Sequence, residues 1–132
     1  MSYKNLVMAL ICASAVFLIA CSNKLAPVVN YPGTPIETAS GKQDLMKVKK
    51  AIVFGGTKVG WQMQPVSDGN IRASLFSSGH MIKLDLKYDT KTYSITYKDS
   101  SNLEYNGNTI NPEYNNLVGE LNRSIRNELA KL

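Results

Sequence analysis

Three stretches in the middle of the chain alternate apolar and polar residues with a period of two. Ile71, Ala73 and Leu75 alternate with Arg72 and Ser74; Ile82, Leu84 and Leu86 with Lys83, Asp85 and Lys87; Tyr93, Ile95 and Tyr97 with Ser94 and Thr96. Successive side chains leave a strand on opposite faces, so this spacing predicts strands buried on one side only. Turn residues at Asp68-Gly69, Ser78-Gly79 and Asp89-Thr90 separate them, and connections this short join antiparallel neighbours. Trp61 and Met63 extend the pattern upstream into a fourth strand. A two-residue loop at Asp68-Gly69 would turn Gln62 and Gln64 inward, whereas a three-residue loop that includes Asn70, with a glycine-assisted bulge, turns Trp61 and Met63 inward; the second is the expectation.

Two-residue loops fix the remaining registers. They set Leu75 opposite Ile82, Ala73 opposite Leu84 and Ile71 opposite Leu86, then Leu86 opposite Tyr93, Leu84 opposite Ile95 and Ile82 opposite Tyr97. Helical periods flank the strands. Leu45, Val48, Ile52, Gly55 and Val59 share one face, with Lys47, Lys49, Lys50 and Lys58 on others, which predicts a helix that ends near Gly60 or stops at Gly55-Gly56. Asn111-Pro112 supplies an N-cap and a first-turn proline for a second helix, whose stripe is Tyr114, Leu117, Val118, Leu121, Ile125 and Leu129. The predicted fold is α+β, a two-layer sandwich in which a four-stranded antiparallel meander carries both helices on one face.

The first 42 residues follow a different logic. A basic start at Lys4, an apolar run from Leu6 to Ala20 and small residues near its end have the layout of an export signal, and the run is shorter than the ~20 residues of a membrane span. Leu18-Ile19-Ala20-Cys21 closes that run and resembles the lipobox of bacterial lipoproteins. The resemblance implies cleavage between Ala20 and Cys21 and acylation of Cys21, whose several chains would anchor the product stably where one alone would not. Ser22 after the cysteine resembles the residue that directs such proteins to the outer membrane. Pro27, Pro32-Gly33, Pro35, Ser40 and Gly41 then read as a flexible tether with a typical end-to-end distance of ~25 Å, to which Val28-Val29 and Pro35-Ile36-Glu37-Thr38 could add a short edge strand. The organisation expected is a signal peptide over residues 1–20, a lipidated cysteine and tether over 21–42, and one domain over 43–132.

Cys12 and Cys21 are the only cysteines, so a domain cut after Ala20 would fold without a disulfide. Its charge is mildly basic. The chain has 15 Lys+Arg against 10 Asp+Glu, which suits lipopolysaccharide, an acidic glycan or an acidic envelope protein as partner. The absence of a dense Lys/Arg block or a nucleic-acid module argues against nucleic acid.

With both helices on one side of the sheet, the other side is the candidate binding face. The registers place Arg72 opposite Asp85 and Ser94, Lys83 between Ser74 and Thr96, and Lys98 beside Met81 and Phe76. With Lys87, four basic residues then face one acid, and Phe76 and Met81 add apolar contacts for an anionic glycan, a lipid headgroup or an acidic surface. The bland alternative is a solvated face with an ion pair.

Catalytic chemistry finds little purchase. His80 is the only histidine, Ser77-Ser78-Gly79-His80 reads as a turn, and Asp99-Ser100-Ser101-Asn102 lacks the glycine and distal glutamate of a calcium loop, so neither a metal nor a cofactor is expected. Asp99, Glu104, Glu113 and Glu120 could supply the two carboxylates that a small glycan hydrolase would need, with Glu104 and Glu113 the pair to substitute in a test, although carboxylates in this number are ordinary on any domain. Tyr93, Tyr97, Tyr105 and Tyr114 cluster among asparagines in a manner compatible with sugar stacking, but their positions on the apolar pattern assign Tyr93, Tyr97 and Tyr114 to the core.

The run from Tyr93 to Leu103, with Tyr105, Ile110, Tyr114-Asn115 and the earlier Gly60-Trp61, resembles small uncharacterised lipoproteins of proteobacteria. In their pattern a histidine follows the Ile110 position and a tryptophan follows Tyr114-Asn115; Asn111 and Leu117 stand there in this chain. The resemblance implies compartment and domain identity without a reaction. The expected function is a non-enzymatic, lipid-anchored binding or accessory module on the periplasmic face of the outer membrane. The alternatives are surface display towards a host or phage, and a small periplasmic glycan hydrolase.

Overall fold

The period-two pattern becomes a sheet that is dry on one side. β3 (Gln62–Ser67), β4 (Asn70–Ser77), β5 (His80–Tyr88) and β6 (Thr92–Ser101) form an antiparallel meander in a computed structural model that describes residues 24–132. Ile71, Ala73, Ile82, Leu84, Leu86, Tyr93 and Ile95 are all at most 1% exposed, and the residues between them are half-buried or exposed. The leader, Ala20 and Cys21 lie outside the described residues.

The sheet has five strands rather than four. β2 (Tyr31–Pro35) pairs antiparallel with β6, giving the order β2-β6-β5-β4-β3, while β1 (Ala26–Pro27) pairs with β7 (Thr109–Ile110) as a separate two-stranded sheet. Part of the stretch expected as tether is therefore built into the domain. Prolines are tolerated here because the strand is an edge, where a missing N–H interrupts no second ladder. Side chains supply bonds that the backbone does not. Asn30 Oδ1 accepts from the Tyr97 N–H at 2.9 Å, Ser94 Oγ from the Gly33 N–H at 2.9 Å, and Asn115 clamps the chain by accepting from the Val29 N–H at 3.1 Å and donating to the Pro27 carbonyl at 2.9 Å.

The β4–β5 register is the predicted one, with Leu75, Ala73 and Ile71 opposite Ile82, Leu84 and Leu86. The β5–β6 register slips by two residues. Tyr88 pairs with Tyr93, Leu86 with Ile95 and Leu84 with Tyr97, because the turn runs from Asp89 to Thr92 and is closed by Asp89 Oδ1, which accepts from the Lys91 and Thr92 N–H groups, both at 2.7 Å. An even slip preserves the faces, so the core residues stay inside. A bulge follows between Lys83 and Leu84 on the partner strand, and Lys98 is the extra residue. In the first hairpin Asn70 pairs with Ser67, which shortens the turn to Asp68-Gly69 and moves the extra residue to Val66. Trp61 and Met63 still turn inward, Trp61 at 3% exposure.

α1 (Leu45–Lys58) and α2 (Pro112–Ala130) complete the core. Asp44 caps α1 by accepting from the Lys47 N–H at 2.8 Å, and Asn111 caps α2 by accepting from the Glu113 N–H at 2.9 Å. α1 continues through Gly55-Gly56 to Lys58 because packing there outweighs propensity. A Cβ on Gly55 would lie 2.9 Å from the Ile125 Cα, and Ser124 Oγ donates to the Gly55 carbonyl at 2.6 Å. Val48 and Ile52 of α1 and Val118, Leu121 and Ile125 of α2 join the inward face of the sheet in one hydrophobic cluster.

Gly55→Ala tests this contact, since alanine favours a helix by about 1 kcal/mol whereas overpacking against backbone costs about 1–3 kcal/mol. The expected outcome is a lower urea midpoint with an unchanged slope, a net loss of up to ~2 kcal/mol. A raised midpoint would show that the helices separate without cost.

Candidate functional site

The open face of the sheet is built from the residues that point away from the helices. Across its middle, Gln64, Arg72, Asp85 and Thr96 lie in register, so Ser94 sits one step away from the position expected beside Arg72 and instead faces Lys87. Arg72 Nε is 3.8 Å from Asp85 Oδ1, and Lys98 Nζ is 3.4 Å from Asp85 Oδ2. One carboxylate thus gathers two cations. Each pair is about 40% exposed, where a salt bridge contributes only about 0–1 kcal/mol, so the charges remain free to reorganise around a partner.

The bulge at Lys98 redraws the rest of the expected face. It takes Lys98 away from Phe76 and Met81 and aims it at Asp85, brings Asp99 rather than Thr96 opposite Lys83, and sets Ser101 beside Met81. The face therefore carries Arg72, Lys83, Lys87 and Lys98 against two acids, Asp85 and Asp99, instead of one. Asp99 is occupied locally, its Oδ1 accepting from the Ser100 N–H at 2.8 Å. Among the described residues Lys83 and Lys87 form no ion pair. Phe76 and Met81 pair across β4 and β5, and Phe76 is 67% exposed.

That apolar pair borders a shallow depression of about 450 Å³ over the β4–β5 turn. Ser78 and Gly79 have φ of 51° and 77°, the left-handed pair of a tight hairpin turn, and Asn102 Nδ2 donates to the Gly79 carbonyl at 2.7 Å. Ser78 and Gly79 thus form the turn, and Ser77 and His80 are the paired strand residues on either side of it. Among the described residues no three His, Cys, Asp or Glu side chains group as metal ligands, and no helix is long and apolar enough to cross a membrane.

The tyrosines divide between core and rim. Tyr97 packs its ring 4.2 Å from Tyr105 and 5.5 Å, edge-on, from Tyr114, while its hydroxyl shares a hydrogen bond with Ser100 Oγ at 2.8 Å. Tyr105 is 42% exposed. Asn102 and Glu104 adopt φ of 62° and 55° on either side of the buried Leu103, whose carbonyl accepts from the Asn111 N–H at 2.8 Å. Glu104 and Glu113 are both exposed, and neither forms an ion pair among the described residues.

Two surfaces escaped sequence reasoning. A cleft of about 370 Å³ between β2 and the end of α2, bordered by Glu37, Arg123 and Arg126, joins residues far apart in the chain. The outward stripe of α1, with Met46, Val53 and Phe54, was legible as a second helical period but was overshadowed by the core-facing one.

Burial pushes the Tyr93 phenol up to about 12 and raises Tyr114 and Tyr97 as well. Tyr93 Oη also donates to Asn122 Oδ1 at 2.5 Å. An unfolded tyrosine ionises near 10, so these neutral phenols contribute stability that is complete below about pH 10 and declines as the pH rises towards 12. In an alkaline titration the tyrosinate absorbance should rise in a late step that coincides with loss of the circular dichroism signal. Ionisation of all seven tyrosines in a chain that keeps its native spectrum would contradict this burial.

No protein-family model matches the chain, and no curated protein or solved structure shows significant similarity to it.

Proposed function

We propose that the protein is a lipid-anchored module of the bacterial cell envelope, non-enzymatic, which docks an acidic partner on the open face of a two-layer domain. The single observation that supports this reading is the composition of that face: four cations against two locally engaged acids, beside a phenylalanine that is two-thirds exposed. Exposed aromatic and cationic side chains on a rigid sheet suit recognition, because the scaffold holds them in place before the partner arrives. An acidic glycan, lipopolysaccharide or an acidic protein surface has the matching charge.

The anchor enters through Cys21 and the apolar run before it, and Ser22 favours the outer membrane with the domain facing the periplasm. The clamped N-terminal strands sharpen this reading. Ala26 is already paired to Ile110, so only residues 22–25 separate it from Cys21, and five extended steps span at most about 18 Å. An acylated Cys21 would hold the domain close to the headgroups rather than lift it clear of them.

Lys83→Glu/Lys87→Glu addresses the face, because both side chains point away from the core. Retention on immobilised lipopolysaccharide should fall about tenfold or more, equivalent to ~1.4 kcal/mol, with an unchanged circular dichroism spectrum. Undiminished retention by a folded double variant would reject the open face as the docking surface.

A further inference from the structure

We propose that the outward face of α1 lies on an anionic lipid surface, an inference that rests on the lipid-anchored reading for the short link to the bilayer. The face is a continuous stripe. Met46, Lys49, Lys50, Val53, Phe54 and Thr57 recur at helical spacing and, with Pro65 of β3, enclose a groove of about 360 Å³ on the side of α1 opposite the core. Met46, Phe54 and the neighbouring Val66 are 56%, 55% and 57% exposed, which groups three large apolar side chains in solvent.

The charge around this stripe has a single sign. α1 contains Lys47, Lys49, Lys50 and Lys58 and no carboxylate from Leu45 to Lys58. Lys58 is engaged by Glu128 at 3.1 Å and lies 5.6 Å from the Phe54 ring, which leaves Lys47, Lys49 and Lys50 without an ion pair among the described residues. Apolar side chains flanked by lysines are the pattern of a helix lying in the membrane interface, with the Phe54 ring and the Met46 thioether among the acyl chains and the ammonium groups at the phosphates. A second copy of this chain fits worse, because the same face would bring lysines against lysines.

Chain geometry agrees. α1 folds back on β3, where Gly56 meets Met63, and α2 folds back on β6, where Tyr114 meets Tyr97 and Asn122 meets Tyr93; because β3 and β6 run in opposite directions, the end of α1 and the start of α2 lie towards the end where Asn115 clamps Pro27 and Val29. The reach of at most about 18 Å from Cys21 to Ala26 keeps that end near the bilayer. α1 packs on the covered side of the sheet, so seating its outward stripe on lipid turns the open face towards the aqueous phase.

The test places a reporter at the centre of the stripe. Full-length Phe54→Trp protein, extracted in detergent, is reconstituted in phosphatidylcholine vesicles with or without phosphatidylglycerol and with brominated acyl chains as quencher; buried Trp61, the only native tryptophan, supplies the background. The expected result is blue-shifted, quenched emission in the anionic vesicles. Adding Lys49→Gln/Lys50→Gln should weaken docking about 30-fold, since each lysine near an anionic surface contributes about fivefold. Unquenched emission from protein that partitions into the detergent phase would overturn the inference and leave the anchor intact. Quenching of protein that stays in the aqueous phase would support the lipid face and reject the anchor. A reporter shielded without lipid, together with a doubled mass in light scattering, would assign the stripe to a second copy and overturn the proposal.

Discussion

One-sided burial of the sheet is the constraint from which the other features descend. Side chains at every second position of β4, β5 and β6 are sealed beneath two helices, and the alternate positions are left to face outward. The seal depends on how closely the helices approach. Gly55 lets the α1 backbone reach Ile125, and the resulting contact allows α1 to continue through a glycine pair that would otherwise end it. Without that approach, Val48 and Ile52 could not join Leu121 and Ile125 over the same sheet face. The chain lacks a disulfide among its described residues, so packing alone maintains the arrangement.

The edges are managed by side chains. β2 closes the outer edge of β6, and Asn30, Ser94 and Asn115 make the bonds that its prolines cannot. This bears on the proposed anchor, because among the described residues pairing begins at Ala26, only five positions after Cys21. The two candidate surfaces then lie on opposite sides of one rigid unit. α1 presents apolar side chains ringed by lysines, and the open sheet presents cations partly balanced by Asp85 and Asp99.

Much of this was legible in the sequence where contacts are local. The β4–β5 register follows from the two-residue turn at Ser78-Gly79, the start of α2 from Asn111-Pro112, and the start of α1 from the apolar period that begins at Leu45. The β5–β6 register was not legible, because Asp89 reaches forward to Thr92 and lengthens a turn that composition suggested was short. The bulge at Lys98 was equally hidden, and it is what carries Asp99 onto the open face. β2 was legible only as a possible short edge strand at Val28-Val29 or Pro35 to Thr38, because its partners lie some 60 residues away and its prolines imitate a linker. Of the candidate site, the inward and outward assignment of Arg72, Phe76, Met81, Lys83 and Lys87 needed only periodicity, whereas the partner of Lys98 needed the three-dimensional register.

In the proposed function a covalent hold on the bilayer would join a rigid body whose α1 side would face lipid and whose open sheet would face water. That hold would give both surfaces their orientation. Intact-mass spectrometry of the protein purified from membranes measures it most directly. The account predicts a mature chain that begins at Cys21 and carries the added mass of its acyl groups; a product that retains Met1, or one that begins with an unmodified cysteine, would contradict it.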